Sequence, residues 1–316
     1  MKKVLFVDTT HPYLMEGLEK AGFQCDAFSG YKRADFLNII HEYEGVIIRS
    51  KIKMDEEILS KAEKLQFIGR VGAGMENIDV DFAQRRNIEC LNAPEGNRNA
   101  VGEQAVGMLL MLMNHLRRAD AEVRQGIWKR EENRGLELEG KTVGIIGYGN
   151  TGGAFARKLS GFDVNILAYD KYKTGFSDAY AREASMDELY EQCDIVSLHL
   201  PLTDETRFLV TDEFINRFKK SFFLVNTARG KIVHTADLVK NLKSGTVRGA
   251  CLDVLEFEGL SFEHLEASQL PRAFTDLIEM DQVVLSPHIA GWTHESNWKL
   301  AHTLVEKIKT LYGIQD

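Results

Sequence analysis

The 316-residue sequence is short of several features, and each shortage excludes a class of protein. Its longest apolar stretch, "AVGMLLMLM", falls well below the ~20 residues that a membrane-spanning helix needs. The opening "MKKVLFVDTT" has a basic pair, but Asp8 interrupts the apolar run after Val7, so a first strand is expected there rather than a secretory signal. Four cysteines (Cys25, Cys90, Cys193, Cys251) lie far apart with no CxxC pair. That spacing argues against a metal site or a disulfide framework and fits a reducing cytoplasm. Basic residues are in the minority, 39 against 47 acidic, giving a net charge of −8 without long runs of either sign. A nucleic-acid surface needs a basic face, so no nucleic-acid partner is expected. An anionic small molecule stays open as a ligand, because its binding depends on local charge.

What the chain does have is alternation. The first hundred residues carry "KVLFVD", "FQCDAF", "GVIIRS", "QFIGRVG" and "IECLNA", all short, apolar and rich in β-branched or aromatic residues, with helical stretches between them. The pattern restarts with "ELEGKTVGIIGYGNTGG", strand-like runs recurring at "KTVGIIG", "NILAYD", "DIVSLHL", "FFLVN", "RGACLDV" and "QVVLSPH". Alternation of this kind predicts α/β architecture with two doubly wound parallel sheets. The expected domains are 99–289 and, discontinuously, 1–98 with 290–316, the closing helix folding back on the first domain. Between them, "NAVGEQAVGMLLMLMNHLRRADAEVRQG" reads as one long helix, apolar nearly all round in its first half. Burial on more than one side follows. A homodimer through the 99–126 region satisfies it, and so does a core helix within one chain.

Gly147, Gly149 and Gly152 match GxGxxG, with "TVGII" as the strand before and "GGAFARKLSG" as the helix after. Glycines there allow a tight turn and close backbone approach to a pyrophosphate at a helix N-terminus. Asp170 closes the next strand, where an acidic side chain takes the adenosine ribose hydroxyls and repels a 2′-phosphate. NAD is therefore expected over NADP, although Lys171 and Lys173 lie beside Asp170. Glycine-rich turns also occur without ligands; here strand, glycines, helix and acid are in register.

Three ionisable residues follow at strand ends: Arg229 after "FFLVN", Glu258 past "RGACLDV" and His288 after "QVVLS". Each has an ordinary explanation alone, as a surface arginine, a solvated acid and a core histidine. Together on one sheet edge beside a dinucleotide site, they suit hydride transfer at a hydroxyl-bearing carbon. Imidazole takes the hydroxyl proton near neutral pH. A carboxylate fixes its tautomer, and an arginine clamps a substrate carboxylate and polarises the carbonyl.

On "GKTVGIIGYGNTGG", "CDIVSLHLPLTDETRFLV", "VNTARGKIV", "SGTVRGACLDVLEFE" and "LSPHIAGWT", the sequence resembles the D-isomer-specific 2-hydroxyacid dehydrogenases over almost its whole length. The resemblance implies a Rossmann NAD domain inserted into a flavodoxin-like substrate-binding domain. It assigns substrate binding to Arg229, the acid/base role to His288, and the paired carboxylate to Glu258, five residues after Asp253, rather than to Glu256. It further implies that Asp253 holds the nicotinamide carboxamide and that Thr227 and Ala228 line the nicotinamide site. Leu200 and Pro201 would lie along the adenosine side, with Asn150 and Thr151 donating to the pyrophosphate. Gly72, Ala73 and Gly74 in "RVGAGMENID" resemble the loop that receives the substrate carboxylate.

Arg49 and Arg70 end two strands of the first domain, where 3-phosphoglycerate dehydrogenases carry arginines facing the substrate phosphate. Two guanidiniums suit a dianion; pairing with Glu76 or Glu95 is the alternative. The reading is an NAD-dependent 3-phosphoglycerate dehydrogenase of serine synthesis. Glyoxylate/hydroxypyruvate reduction is the nearest alternative, and an NAD-sensing corepressor-like scaffold a remote one. Three features depart from the family pattern. Gly259 stands where proline often follows the glutamate, "LSFEHLEASQ" is inserted after it, and Ala73 replaces a common threonine. No room is expected for a C-terminal serine-binding domain, and hence no serine feedback.

Overall fold

In a computed structural model, described over residues 1–259 and 270–315, the chain divides into two compact units. One comprises 1–97 with 292–315, the other 98–259 with 270–291.

The first unit holds β1 (Lys3–Phe6), β2 (Gln24–Ala27), β3 (Gly45–Ile48), β4 (Phe67–Arg70) and β5 (Glu89–Asn92). They form a parallel sheet in the order β2-β1-β3-β4-β5. Successive strand residues point to opposite faces, so one run feeds two cores. Leu5, Ile48 and Ile68 face one cluster with Phe36 and Ile58. Val4, Phe6, Ile47 and Phe67 face another, closed by Leu300, Leu304 and Ile308 of the C-terminal helix His294–Leu311. Burial of each such side chain contributes roughly 1.5–3 kcal/mol. Thr293 starts that helix: its Oγ1 accepts from Ser296 N at 3.0 Å, while Ser296 Oγ accepts from Thr293 N at 3.0 Å.

The second unit holds β6 (Thr142–Ile146), β7 (Asn165–Tyr169), β8 (Arg182–Glu183), β9 (Ile195–Leu198), β10 (Phe222–Asn226), β11 (Val247–Leu252) and β12 (Val283–Leu285). Their order is β12-β11-β10-β9-β6-β7-β8, all parallel. Strand order reverses between β6 and β9, the place where doubly wound sheets open a crevice beyond their carboxyl ends. Phe222 to Asn226 are all buried, as a strand covered on both faces requires.

The single long helix expected after residue 98 differs in detail. Helix Pro94–Met113 begins five residues earlier, with proline in its first turn, and ends where His115 adopts a left-handed conformation (φ 52°). A second helix, Leu116–Arg124, follows with no buried residue of its own. Among the described residues, no helix is long and apolar enough to cross a membrane.

Candidate active site

The glycine turn is built by exclusion. Gly147 has φ 95°, and a Cβ there would stand 2.5 Å from the His199 carbonyl oxygen. A Cβ on Gly152 would collide with the Gly147 carbonyl, whereas one on Gly149 would meet nothing within 4 Å. Gly147 and Gly152 thus close the turn tightly, and Gly149 leaves its outer side open at the N-terminus of helix Asn150–Leu159. Backbone N–H groups of that first turn have no helical acceptor, and the helix dipole favours an anion. Asn150 and Thr151 are the first two residues of the helix. Leu200 packs against Gly147, and the Pro201 carbonyl accepts from Thr206 Oγ1 at 2.7 Å.

Asp170 sits at the end of β7. Its Oδ2 accepts from Tyr148 N and its Oδ1 from Tyr172 N, both at 3.0 Å, so the carboxylate is fixed beside the turn. The neighbouring lysines are engaged elsewhere: Lys171 pairs with Glu205 at 2.8 Å and Lys173 donates to the Tyr148 carbonyl at 2.8 Å.

Arg229, Glu258 and His288 follow the ends of β10, β11 and β12, three neighbouring strands. His288 Nδ1 and Glu258 Oε2 are 2.7 Å apart, both half-buried. An ionised carboxylate only accepts, so Nδ1 carries the proton of this bond and Nε2 is the atom left for chemistry. The other Glu258 oxygen accepts from Leu255 N, fixing the acid to its own loop. Glu256, two residues earlier, turns away: its Oε2 accepts from Thr235 N at 2.9 Å, at the start of helix Thr235–Ser244.

His288 is held in the left-handed region (φ 56°). Its N–H donates to the Asp253 carbonyl at 2.7 Å. The buried Asp253 carboxylate accepts from Ser286 Oγ (2.6 Å), Ile289 N (2.9 Å) and Ala290 N (2.9 Å). Three donors compensate the buried charge and fix the turn that presents the imidazole.

Arg229 is half-buried, with Nη1 donating to the Ala228 carbonyl at 2.7 Å. Asn226, fully buried, shapes its turn: Oδ1 accepts from Ala228 N and Nδ2 donates to the Arg229 carbonyl, each at 3.0 Å. A Cβ on Gly230 would collide with the Leu255 carbonyl, so glycine there lets the Arg229 loop lie against the loop that carries Glu258. Thr227 Oγ1 is buried without a hydrogen-bond partner among the described residues. An orphaned hydroxyl at the carboxyl end of β10, on the sheet edge that also carries the glycine turn, fits a site that is completed by a bound polar molecule, as a dinucleotide would complete it.

In the first unit, β3 and β4 are neighbours, and Arg49 and Arg70 stand at their carboxyl ends. Asp8 Oδ2 accepts from Arg49 N at 2.5 Å, and the Arg49 guanidinium lies 4.3 Å over the Trp292 ring. Arg70 Nη1 donates to the Val71 carbonyl at 3.3 Å, and Gly72 leaves the space that its guanidinium occupies. The Ala73 carbonyl accepts from Asn92 Nδ2 at 2.6 Å, and Gly74 follows in the same loop. Lys307 binds both Glu95 oxygens, at 2.9 and 3.0 Å. Gly259 is described, but the inserted segment after it lies outside the described residues.

Residues 106–290 match the model of the D-isomer specific 2-hydroxyacid dehydrogenase NAD-binding domain. The chain belongs to this family. NAD is its cofactor, and the engaged lysines beside Asp170 accord with that. The chain is 32% identical over 308 residues to a D-3-phosphoglycerate dehydrogenase of Archaeoglobus fulgidus, covering 97% of this chain and 56% of that one. It is 35% identical to a hydroxypyruvate reductase of Thermotoga maritima, covering 90% and 89%. Among solved structures, the D-lactate dehydrogenase of Aquifex aeolicus complexed with NAD and lactic acid superposes with a TM-score of 0.83 at 27% identity, covering 99% and 96%. The chain spans a little over half the length of the archaeal phosphoglycerate dehydrogenases it matches, 56% and 57%.

Two residues of the site escaped the sequence reading. Asn226 had a signal, a polar side chain ending a run of four buried apolar residues. Ser286 had only its place next to "PH", and its bond to Asp253 spans 33 positions.

Proposed function

We propose that the chain is an NAD-dependent D-2-hydroxyacid dehydrogenase whose substrate is 3-phosphoglycerate or, in reverse, 3-phosphohydroxypyruvate. The observation that carries the activity is the His288–Glu258 bond at 2.7 Å, made by residues that follow β12 and β11, next in the sheet order to β10, which delivers Arg229.

Gly147, Gly149, Gly152, Asn150 and Thr151 hold the pyrophosphate, Asp170 the adenosine ribose, and Leu200 and Pro201 lie along the adenosine side. Thr227 and Ala228 line the nicotinamide site. Three of the roughly four acceptor positions on Asp253 are taken, and the fourth receives the carboxamide. Bound there, NAD supplies the hydride acceptor or donor. Arg229 clamps the substrate carboxylate with two donors, aided by the backbone of Gly72, Ala73 and Gly74, and polarises the C2 oxygen. His288 Nε2 takes the C2 hydroxyl proton during oxidation and returns it to the carbonyl oxygen during reduction. Glu258 keeps the ring in one tautomer and stabilises the imidazolium once formed.

Arg49 and Arg70 receive the phosphate. Their place on adjacent strand ends and the stacking of Arg49 on Trp292 support this, since a stacked guanidinium presents its donors edge-on in a fixed plane. The Thermotoga relative favours a second reading, reduction of hydroxypyruvate or glyoxylate. Comparing kcat/KM for 3-phosphohydroxypyruvate, hydroxypyruvate and glyoxylate with NADH separates the two. Preference for the phosphorylated acid is expected, and indifference to the phosphate overturns the choice.

We also propose a homodimer through the 99–126 region. Helix Leu116–Arg124 buries none of its residues, and Leu116, Val123 and Trp128 are 51%, 53% and 76% exposed. Leu116 and Val123 lie seven residues apart and so share one face of this helix, which supports an association surface there. Light scattering at twice the mass of the chain is the expected result.

A further inference from the structure

The glycine turn brings two neutral side chains, Asn150 and Thr151, to the place where an NAD-binding domain receives a doubly charged pyrophosphate. A cation reaches the same place from another element. Helices Pro94–Met113 and Asn150–Leu159 run side by side in the same direction, and three contacts set their register. Arg98 Nη1 donates to Asn150 Oδ1 at 3.3 Å. One turn further, a Cβ on Gly102 would stand 3.1 Å from the Ala154 carbonyl carbon and oxygen. Beyond that, Lys158 Nζ meets Glu103 Oε1 at 2.7 Å. Arg98 and Gly102 are four residues apart, as are Asn150 and Ala154, so each pair lies on one helix face. The missing side chain at Gly102 lets the two backbones approach. That approach brings the Arg98 guanidinium to the first residue of the neighbouring helix, where unpaired N–H groups and the helix dipole already favour an anion.

We infer that Arg98 is a ligand of the NAD pyrophosphate, reaching the glycine turn from a helix outside the GxGxxG motif. Asn150 has the role of orienting the guanidinium through its Oδ1. The remaining guanidinium donors of Arg98 are suited to phosphate oxygens, which accept in the same planar geometry as carboxylates. Arg98 touches the cofactor and takes no part in proton transfer.

The test is binding to the full chain, read by NADH fluorescence and by competition with ADP-ribose and with adenosine. Arg98 is exposed, so replacing it leaves no cavity. Arg98→Gln is expected to weaken NADH and ADP-ribose about tenfold, the usual worth of a charge-assisted hydrogen bond. Adenosine, which has no pyrophosphate, should bind as before. The salt dependence of NADH affinity should become shallower, because one screened charge pair is gone. Arg98→Lys should recover part of the loss. NADH affinity within twofold of the parent in Arg98→Gln overturns the inference. An equal loss of adenosine binding overturns it too, since the effect would then not lie at the pyrophosphate.

Discussion

Two glutamates in "EFEG" lie two residues apart and do different work. Glu258 holds His288 Nδ1 at 2.7 Å, and Glu256 accepts from Thr235 N at the start of a helix. Glu258→Gln should lower kcat about a hundredfold, because the amide no longer stabilises the imidazolium. Glu256→Gln should keep kcat within a few-fold while costing about 1 kcal/mol of stability from the weakened cap. Steady-state rates and urea midpoints of both variants check this; equal losses of rate would remove the distinction. The resemblance assigned the paired carboxylate to Glu258 rather than Glu256 by counting from Asp253; in the structure Glu258 bonds His288, and Glu256 bonds Thr235 N. The sequence did not reveal the cage around Asp253, whose donors lie 33 to 37 residues away along the chain. Spacing reports which residues are near in sequence, and these bonds exist only once β11 and β12 are paired.

Among the elements, the glycine turn carries the clearest prediction. Gly152→Ala places a methyl group against the Gly147 carbonyl, a backbone atom that cannot swing aside. NADH affinity should fall more than tenfold, while Gly153→Ala, with nothing within 4 Å of the added atom, should bind NADH as the parent does. Fluorescence titration distinguishes the two outcomes. The long parallel strands were legible because burial on both faces writes them as continuous apolar runs, as in Phe222–Asn226. β8 was not legible, since Arg182 and Glu183 carry no apolar pattern and gain their place by pairing with β7. Nor was the break at His115, where one left-handed residue interrupts a pattern that stays helical on both sides. Arg98 escaped for a related reason: its meaning depends on the close packing of two helices at Gly102.

At the scale of the whole molecule, one buried group sets an acid limit. His199, at the end of β9, bonds Ser197 Oγ through Nε2 at 2.9 Å, and burial pushes its pKa from 6.5 down to about 3. The folded chain therefore keeps this imidazole neutral, while the unfolded chain protonates it below about 6.5. Its effect on stability is absent above that pH and grows as pH falls toward 3. By pH 5 the loss is about 2 kcal/mol relative to pH 8. Urea midpoints against pH should fall more steeply for the parent chain than for His199→Gln; parallel profiles would contradict this. The division of the chain into two units was readable from the restart of alternation near residue 140. Arg49 and Arg70 were readable only as guanidiniums at strand ends, because the phosphate contact proposed for them is a matter of side-chain direction, which spacing does not report.

The central claim is that His288 moves the proton in an NAD-dependent oxidation of a D-2-hydroxy acid. Its most direct test is turnover of 3-phosphoglycerate and other D-2-hydroxy acids with NAD by the parent chain and by His288→Ala, with NADH binding measured on both. The account predicts turnover by the parent chain, a loss of 10²–10⁴-fold in the variant, and NADH affinity retained. Undiminished turnover in His288→Ala, or no turnover of any 2-hydroxy acid by the parent chain, would contradict it.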